Sequence, residues 1–319
     1  MINNKQNPFN VIFCKKEFLF PYEFPLAEFP FYIDVELTND CNLDCIMCRR
    51  QIMKRAVNFM DLKYIKKIVD EVKNYECGIR FVRQGEPILH PECCEAIAYA
   101  VKNGVLTYIS TNGFAGKNKI RDLFFAKPDV IRFSFQGTTP EEFEKFRVPA
   151  KYKVVAGNIH FISRLRKENK DDSPYLIISS SLTNETEKDK ELFRNYWLQY
   201  VNNVEFSKTV FSWLDKVKKV KDVKEHENLE RKHKPCMEVV TKLSVNWNGD
   251  IGACCSDQEG VHVIGNLDNM TLKEAWNSQK EDDLRNMVGG NLFHGQISHC
   301  KDCYLEDHKF DELKEKSMI

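Results

Sequence analysis

From residue 31 onward the chain switches between two hydrophobic periods. Phe31, Ile33, Val35 and Leu37 alternate with Tyr32, Asp34 and Glu36, so this stretch reads as a strand with one apolar and one polar face. The apolar face suits a position under helices, and the polar face suits a barrel interior near an active site. Ile65, Ile68, Val69 and Val72 then keep helical spacing behind a capping Asp61. Further strands are predicted over residues 79–83, 105–109, 130–135, 175–180 and 204–206. Pro91 opens a helix that Asn103-Gly104 stops, and residues 141–146 form a short one. Residues 185–201 carry Leu192, Phe193, Tyr196, Trp197 and Tyr200 at helical spacing, which reads as core. Strands alternating with helices predict an α/β fold, a parallel sheet with right-handed crossovers.

The pattern breaks at both ends. Residues 21–30 hold Pro21, Pro25 and Pro30, so residues 1–30 are expected as an extended arm with its aromatics packed on the body. Around 213–234, Lys216, Lys218, Lys219, Lys221 and Lys224 mix with acids, as in a solvated linker that closes a core of 31–212. Beyond it, residues 243–247 and 251–254 flank Asn248-Gly249-Asp250, a hairpin signal. Thr271 and Glu274 make a capping box before Ala275 and Trp276. A second, smaller domain is therefore expected over 235–312, with 313–319 as a tail.

Composition narrows the class. Lys plus Arg and Asp plus Glu number 47 each in 319 residues, so no bulk basic excess draws the chain to nucleic acid or to a membrane. Residues 1–16 hold no apolar signal core, and a cytoplasmic address is expected. There, twelve cysteines serve metals or redox chemistry more often than disulfides.

Three of those cysteines lie together. Cys41, Cys45 and Cys48 follow the first strand as C-x3-C-x2-C. Thiolates are the usual ligands of iron–sulfur clusters, and three of them leave one iron of a 4Fe–4S cube open. A zinc site, the alternative, favours C-x2-C pairs in sets of four ligands and fits this triplet poorly. The loop resembles that of the radical S-adenosylmethionine (radical SAM) enzymes, with Met47 in the place of their large residue before the last cysteine. The resemblance implies a partial (β/α)6, TIM-like barrel whose cluster loop ends the first strand. It also implies that the open iron chelates S-adenosylmethionine, which one electron cleaves to a 5′-deoxyadenosyl radical.

Other residues gain candidate roles from the same resemblance. Gln84-Gly85-Glu86-Pro87 is similar to the family's G-G-E-P loop, where backbone carbonyls and Glu86 would accept from the methionyl ammonium and Gly85 would let backbone approach the ligand. Thr111-Asn112-Gly113 matches its T-N-G turn beside the cofactor. Ser134 and Gln136 stand where relatives place a serine and an aspartate toward the ribose and methionyl end. Arg147 lies where an arginine often binds the cofactor carboxylate, a bidentate task suited to guanidinium.

Cys236, Cys254, Cys300 and Cys303 run as C-x12-G-x4-C, a gap, then C-x2-C. This is similar to the twitch form of the SPASM extension, which implies a small β-hairpin and helix domain with an auxiliary 4Fe–4S cluster. Four cysteines with a C-x2-C pair would also suit structural zinc. Cys255 is left as a candidate hydrogen donor, while Cys14, Cys77, Cys93 and Cys94 receive no role.

The chemistry expected is hydrogen abstraction from a small polar molecule, a sugar, cyclitol or nucleotide-linked sugar, ending in oxidation or epimerisation. Flavodoxin or ferredoxin would supply electrons. Peptide or protein modification is the second expectation, lowered because thirty N-terminal residues are few for a leader-binding domain. A non-enzymatic metal-binding scaffold is the third. With both clusters loaded, roughly eight irons per chain are expected. Changing Cys300 and Cys303 to Ala should remove about half of them by iron assay while S-adenosylmethionine cleavage persists. Full iron retention would remove both residues from the ligand set.

Overall fold

A computed structural model describes residues 6–9, 26–209, 236, 238–254 and 256–289. Its sheet is built outward from β1 (Tyr32–Val35), where the alternation first shows. On one side follow β2 (Gly78–Phe81), β3 (Leu106–Thr111), β4 (Val130–Gln136), β5 (Tyr175–Leu182) and β6 (Asn203–Lys208), all parallel and each beside its predecessor. Such a sheet needs crossovers, which α1 (Leu62–Val72), α2 (Cys93–Lys102), α3 (Lys117–Phe125), α4 (Pro140–Phe146), α5 (Tyr152–Glu168) and α6 (Glu187–Trp197) supply. The sheet is mixed, open and barrel-like.

The described C-terminal residues do not stand apart from this sheet. The short helix α7 (Glu238–Thr241) leads into β7 (Lys242–Val245), which pairs in parallel with β1. The expected hairpin does form, between β7 and β8 (Asp250–Gly252), and β9 (Val263–Asn266) completes the order β6-β5-β4-β3-β2-β1-β7-β8-β9. The free edge of β1 would otherwise present unpaired amides, and β7 covers it. Helices α8 (Leu272–Trp276), with the predicted Thr271–Glu274 capping box, and α9 (Gln279–Gly289) follow. Among the described residues no helix is long and apolar enough to cross a membrane.

The strand faces divide as the alternation predicts, with one exception. Ile33, Val35 and Leu37 enter the main core beneath the helices, but Phe31 joins Phe9, Tyr32, Val130 and Ile177 in a second cluster. Phe9 belongs to the predicted arm. It stacks on Tyr32 and meets Tyr108 edge-on, and its carbonyl accepts from the Tyr32 hydroxyl at 3.0 Å. The polar face is equally shut from water. Arg80 donates twice to Asp34, at 2.6 and 2.9 Å, and Lys242 lies 3.2 Å from the same carboxylate. Burial pushes Asp34 up, but Arg80 and Lys242 outweigh it and hold the acid below its usual range.

Helix α6 corrects a sequence expectation. Phe193 and Trp197 are buried one turn apart, whereas Leu192 and Tyr196 are 62% and 44% exposed. Only one stripe of the helix meets the sheet, and residues one position away point outward.

Leu243 is fully buried on β7, between β1 and β8. Leu243→Ala should cost about 2–5 kcal/mol. Urea unfolding followed by hydrogen exchange at Ile33 and Ile79 should show the whole sheet weakened together. Loss confined to residues 238–289 would contradict this continuity.

Candidate active site

The cysteine loop leaves the end of β1 and is anchored residue by residue. Thr38 Oγ1 donates to the Asn58 carbonyl at 2.7 Å and accepts from Asp40 N at 3.0 Å. Fully buried Asn39 bonds Ala56 O and Asn58 N with its two amide ends. Arg50 donates to Asn39 O at 2.8 Å and to Asp40 Oδ1 at 3.0 Å. On the far side, Asp44 N and Ile46 N donate to Val148 O and Phe146 O, at 2.7 and 2.9 Å. Short polar residues that bond nearby backbone shape such loops. Asn39 and Asp40 carried that signal in the sequence without receiving a role there.

Two of the three sulfurs receive backbone amide donors. Leu43 N and Arg50 N point at Cys41 Sγ and Cys48 Sγ, each at 3.4 Å. Burial nevertheless pushes the Cys41 thiol up to about 12 and the Cys45 thiol up to about 11, with the Arg147 charge opposing the rise at Cys45. Bare thiols here keep their protons. A cationic metal core reverses that preference, and ligation needs the thiolates. Three thiols on one loop, two of them met by amide donors, fit a 4Fe–4S cluster with one open iron.

Gly85 meets this loop directly. Its φ is +82°, and a Cβ there would lie 2.3 Å from Thr38 O and 2.6 Å from Asp40 O. The backbone it lets close is therefore that of the cysteine loop, which Glu86 N joins through a 2.7 Å bond to Asp40 O. The Glu86 carboxylate turns inward. It accepts from Thr111 Oγ1 at 2.7 Å, Asn112 N at 2.6 Å and Ile88 N at 3.4 Å. Burial raises it to about 7 against those three donors. Glu86 thus ties the end of β2 to the Thr111-Asn112-Gly113 turn. Asn112 in turn donates to Asn42 Oδ1 at 2.8 Å and lies 3.9 Å from Cys41 Sγ.

Arg147 caps α4 between the two residues whose carbonyls hold the cysteine loop. Its Nη2 donates to Phe135 O at 2.7 Å, while its buried Nε makes no hydrogen bond. Cys41, Cys45 and Cys48 all act on its charge. Gln136 gives its amide N–H to Thr209 Oγ1 at 2.6 Å, and its buried carbonyl oxygen is left unused. Ser134 pairs with Ser110 at 3.4 Å. Gly85, Asn112 and Arg147 therefore gather at the cysteine loop, with Glu86 and Thr111 behind them. Ser134 and Gln136 make their contacts elsewhere on the strand ends.

A third group joins the cysteine loop to the C-terminal segment, and the sequence carried no signal for it beyond the inward-facing Glu36. Arg55 forks onto Glu36 at 2.9 and 2.8 Å, and Arg83 Nε lies 3.8 Å from the same carboxylate. Arg83 also donates to Cys254 O at 3.0 Å and to Asp257 O at 3.1 Å. Cys254 is buried and accepts from Ser256 N at 3.3 Å, a setting that fits a cluster thiolate, and Cys236 is half-buried. Cys255, Cys300 and Cys303 lie outside the described residues.

Residues 35–194 match the model of the radical SAM superfamily, and residues 236–304 match an iron–sulfur cluster-binding domain. The chain belongs to the radical SAM superfamily and carries that second domain, so its cofactors are 4Fe–4S clusters and S-adenosylmethionine. Over 127 residues it is 29% identical to the mycofactocin maturase MftC of Mycobacterium tuberculosis (strain ATCC 25618 / H37Rv), covering 40% of this chain and 32% of that protein. The chain spans about a third of the length of the curated relatives it matches. Its fold resembles BtrN in complex with AdoMet and 2-DOIA, at TM-score 0.58 and 18% identity over 86% of this chain and 92% of that one. It also resembles Streptococcus suis SuiB bound to precursor peptide SuiA, at TM-score 0.59 and 15% identity over 87% of this chain and 70% of that one.

Gly85→Ala should cost about 1–3 kcal/mol from overpacking, beyond its left-handed penalty. Gly104→Ala is the control, since Gly104 has φ +74° with open space around it. Urea melts should show Gly85→Ala the weaker of the two, with iron lost from the cysteine loop. Equal melts and equal iron would mean that the loop can move aside.

Proposed function

We propose that this chain is a radical SAM enzyme that modifies a peptide or protein, with Cys41, Cys45 and Cys48 holding the cluster that binds S-adenosylmethionine. When bound, cluster and cofactor together supply hydrogen-atom abstraction from an unactivated carbon. The chain's own residues prepare the place. Gly85 seats the cysteine loop, Asn112 orients Asn42 beside Cys41, and Arg147 sets a guanidinium against the thiolates. The buried Gln136 carbonyl oxygen and Arg147 Nε have no hydrogen-bond partner within the protein, and both would be open to the cofactor.

The peptide reading is carried by one observation. This chain joins a radical SAM core to a second iron–sulfur domain, and the relatives that resemble it include a maturase and SuiB with its precursor peptide. A low-potential donor such as flavodoxin or ferredoxin would reduce the cluster.

A second reading, oxidation or epimerisation of a small polar molecule, is supported by the strand face itself. Ser110 meets Ser134, and Arg132 reaches both Ser179 and Glu205, so hydroxyls and one charge pair occupy this face. BtrN, with 2-DOIA, shares the fold.

One experiment separates the two readings. Reduced, reconstituted enzyme is given S-adenosylmethionine with either deuterated candidate peptides, taken from short reading frames near its gene where there are any, or deuterated sugars and cyclitols. Deuterium should enter the released 5′-deoxyadenosine from a peptide, whose mass should change. Transfer from a sugar or cyclitol alone would overturn the peptide reading.

A further inference from the structure

Glu36, Arg55 and Arg83 form a closed ionic group at the end of β1. The Glu36 side chain is fully buried, and those of Arg83 and Arg55 are 2% and 14% exposed. Both guanidiniums extend past Glu36 to the main chain of one short segment. Arg83 takes the carbonyls of Cys254 and Asp257, and Arg55 takes that of Gln258 at 2.6 Å. Next to Arg55, Lys54 N donates to the Glu259 carboxylate at 3.0 Å. The Asp257 carboxylate faces away, accepting from Val261 N and His262 N. Cys254 and residues 257–259 are thus fastened to the core by residues that flank the cysteine loop and the Gln84-Gly85-Glu86 turn.

Arg83 holds this place at a conformational cost. Its φ is +142°, a region that favours glycine. Such backbone persists where surrounding contacts over-determine it. A surface arginine would not need it, nor would its charge be so closed from water.

Taking Cys254 as a ligand of the auxiliary cluster, as read above, we infer that Arg83 is a positioning residue for that cluster. It fixes the Cys254 carbonyl and holds a positive charge beside the cluster, and with Glu36 it sets the cluster's reduction potential. Net charge and hydrogen bonding around a cluster are the levers by which a protein tunes it. A buried cation favours the more negative, reduced state, and a buried carboxylate disfavours it.

The test is an anaerobic redox titration of the reconstituted holoenzyme, following the auxiliary cluster by EPR. Arg83→Gly suits the existing backbone, so the loop keeps its path while the charge is lost. At a fixed potential the ratio of reduced to oxidised cluster should fall about tenfold, a midpoint about 59 mV lower for one electron. Glu36→Gln should move it about as far the other way, and Arg83→Lys should stay near the parent. A merely structural role would not give shifts of opposite sign. If Cys254→Ala keeps all its iron and the auxiliary signal, the ligand reading fails and the inference with it. If Cys254→Ala loses that cluster but the two charge variants leave the midpoint unmoved, or shift it in the same direction, the inference fails alone.

Discussion

A glycine laid against a main chain is the contact on which the site depends. At Gly85 the loop after β2 lies so close to Thr38 and Asp40 that no side chain fits between. The amide of Glu86 then reaches Asp40 O, and its carboxylate reaches the turn after β3. Three strand ends become one surface through these bonds. Backbone groups in irregular loops must find partners when water is excluded. Here each loop supplies them to its neighbour, and the sulfurs of Cys41 and Cys48 receive amide donors of their own.

Beneath that surface the sheet carries buried charge. Asp34 lies between Arg80 and Lys242, and Glu36 between Arg55 and Arg83. Buried ion pairs add little net stability, because desolvation offsets attraction, but loss of one partner costs about 3–5 kcal/mol. Their effect is to specify arrangement. Arg80 on β2 and Lys242 on β7 both meet Asp34 on β1, so the register of three strands is tied to one carboxylate. The same device one turn of the pleat higher joins the core to the Cys254 segment.

Much of this was legible in the sequence, because period and punctuation are local properties. The first strand, the α1 stripe, the Asn-Gly hairpin and the Thr271 capping box all rest on neighbouring residues. The C-x3-C-x2-C loop was legible for the same reason. What escaped depended on distant contacts. Nothing near Lys242 announces that β7 will pair with β1, since that partner lies some two hundred residues away. The bond from Thr111 to Glu86 likewise joins the ends of two strands that lie twenty-five residues apart. Arg83 gave no sign, as a non-glycine residue with positive φ has no sequence mark. Leu192 and Tyr196 failed for a simpler reason: helical spacing names a stripe, and its width depends on what packs there.

The proposed chemistry needs the open iron of a cluster held by Cys41, Cys45 and Cys48, and EPR reads that iron most directly. Anaerobically reconstituted, reduced protein should show a 4Fe–4S signal, and added S-adenosylmethionine should change its shape as the open position fills. A Cys45→Ala protein should lose the responsive component only. A cubane signal indifferent to the cofactor, or a response that survives without Cys45, would contradict the account.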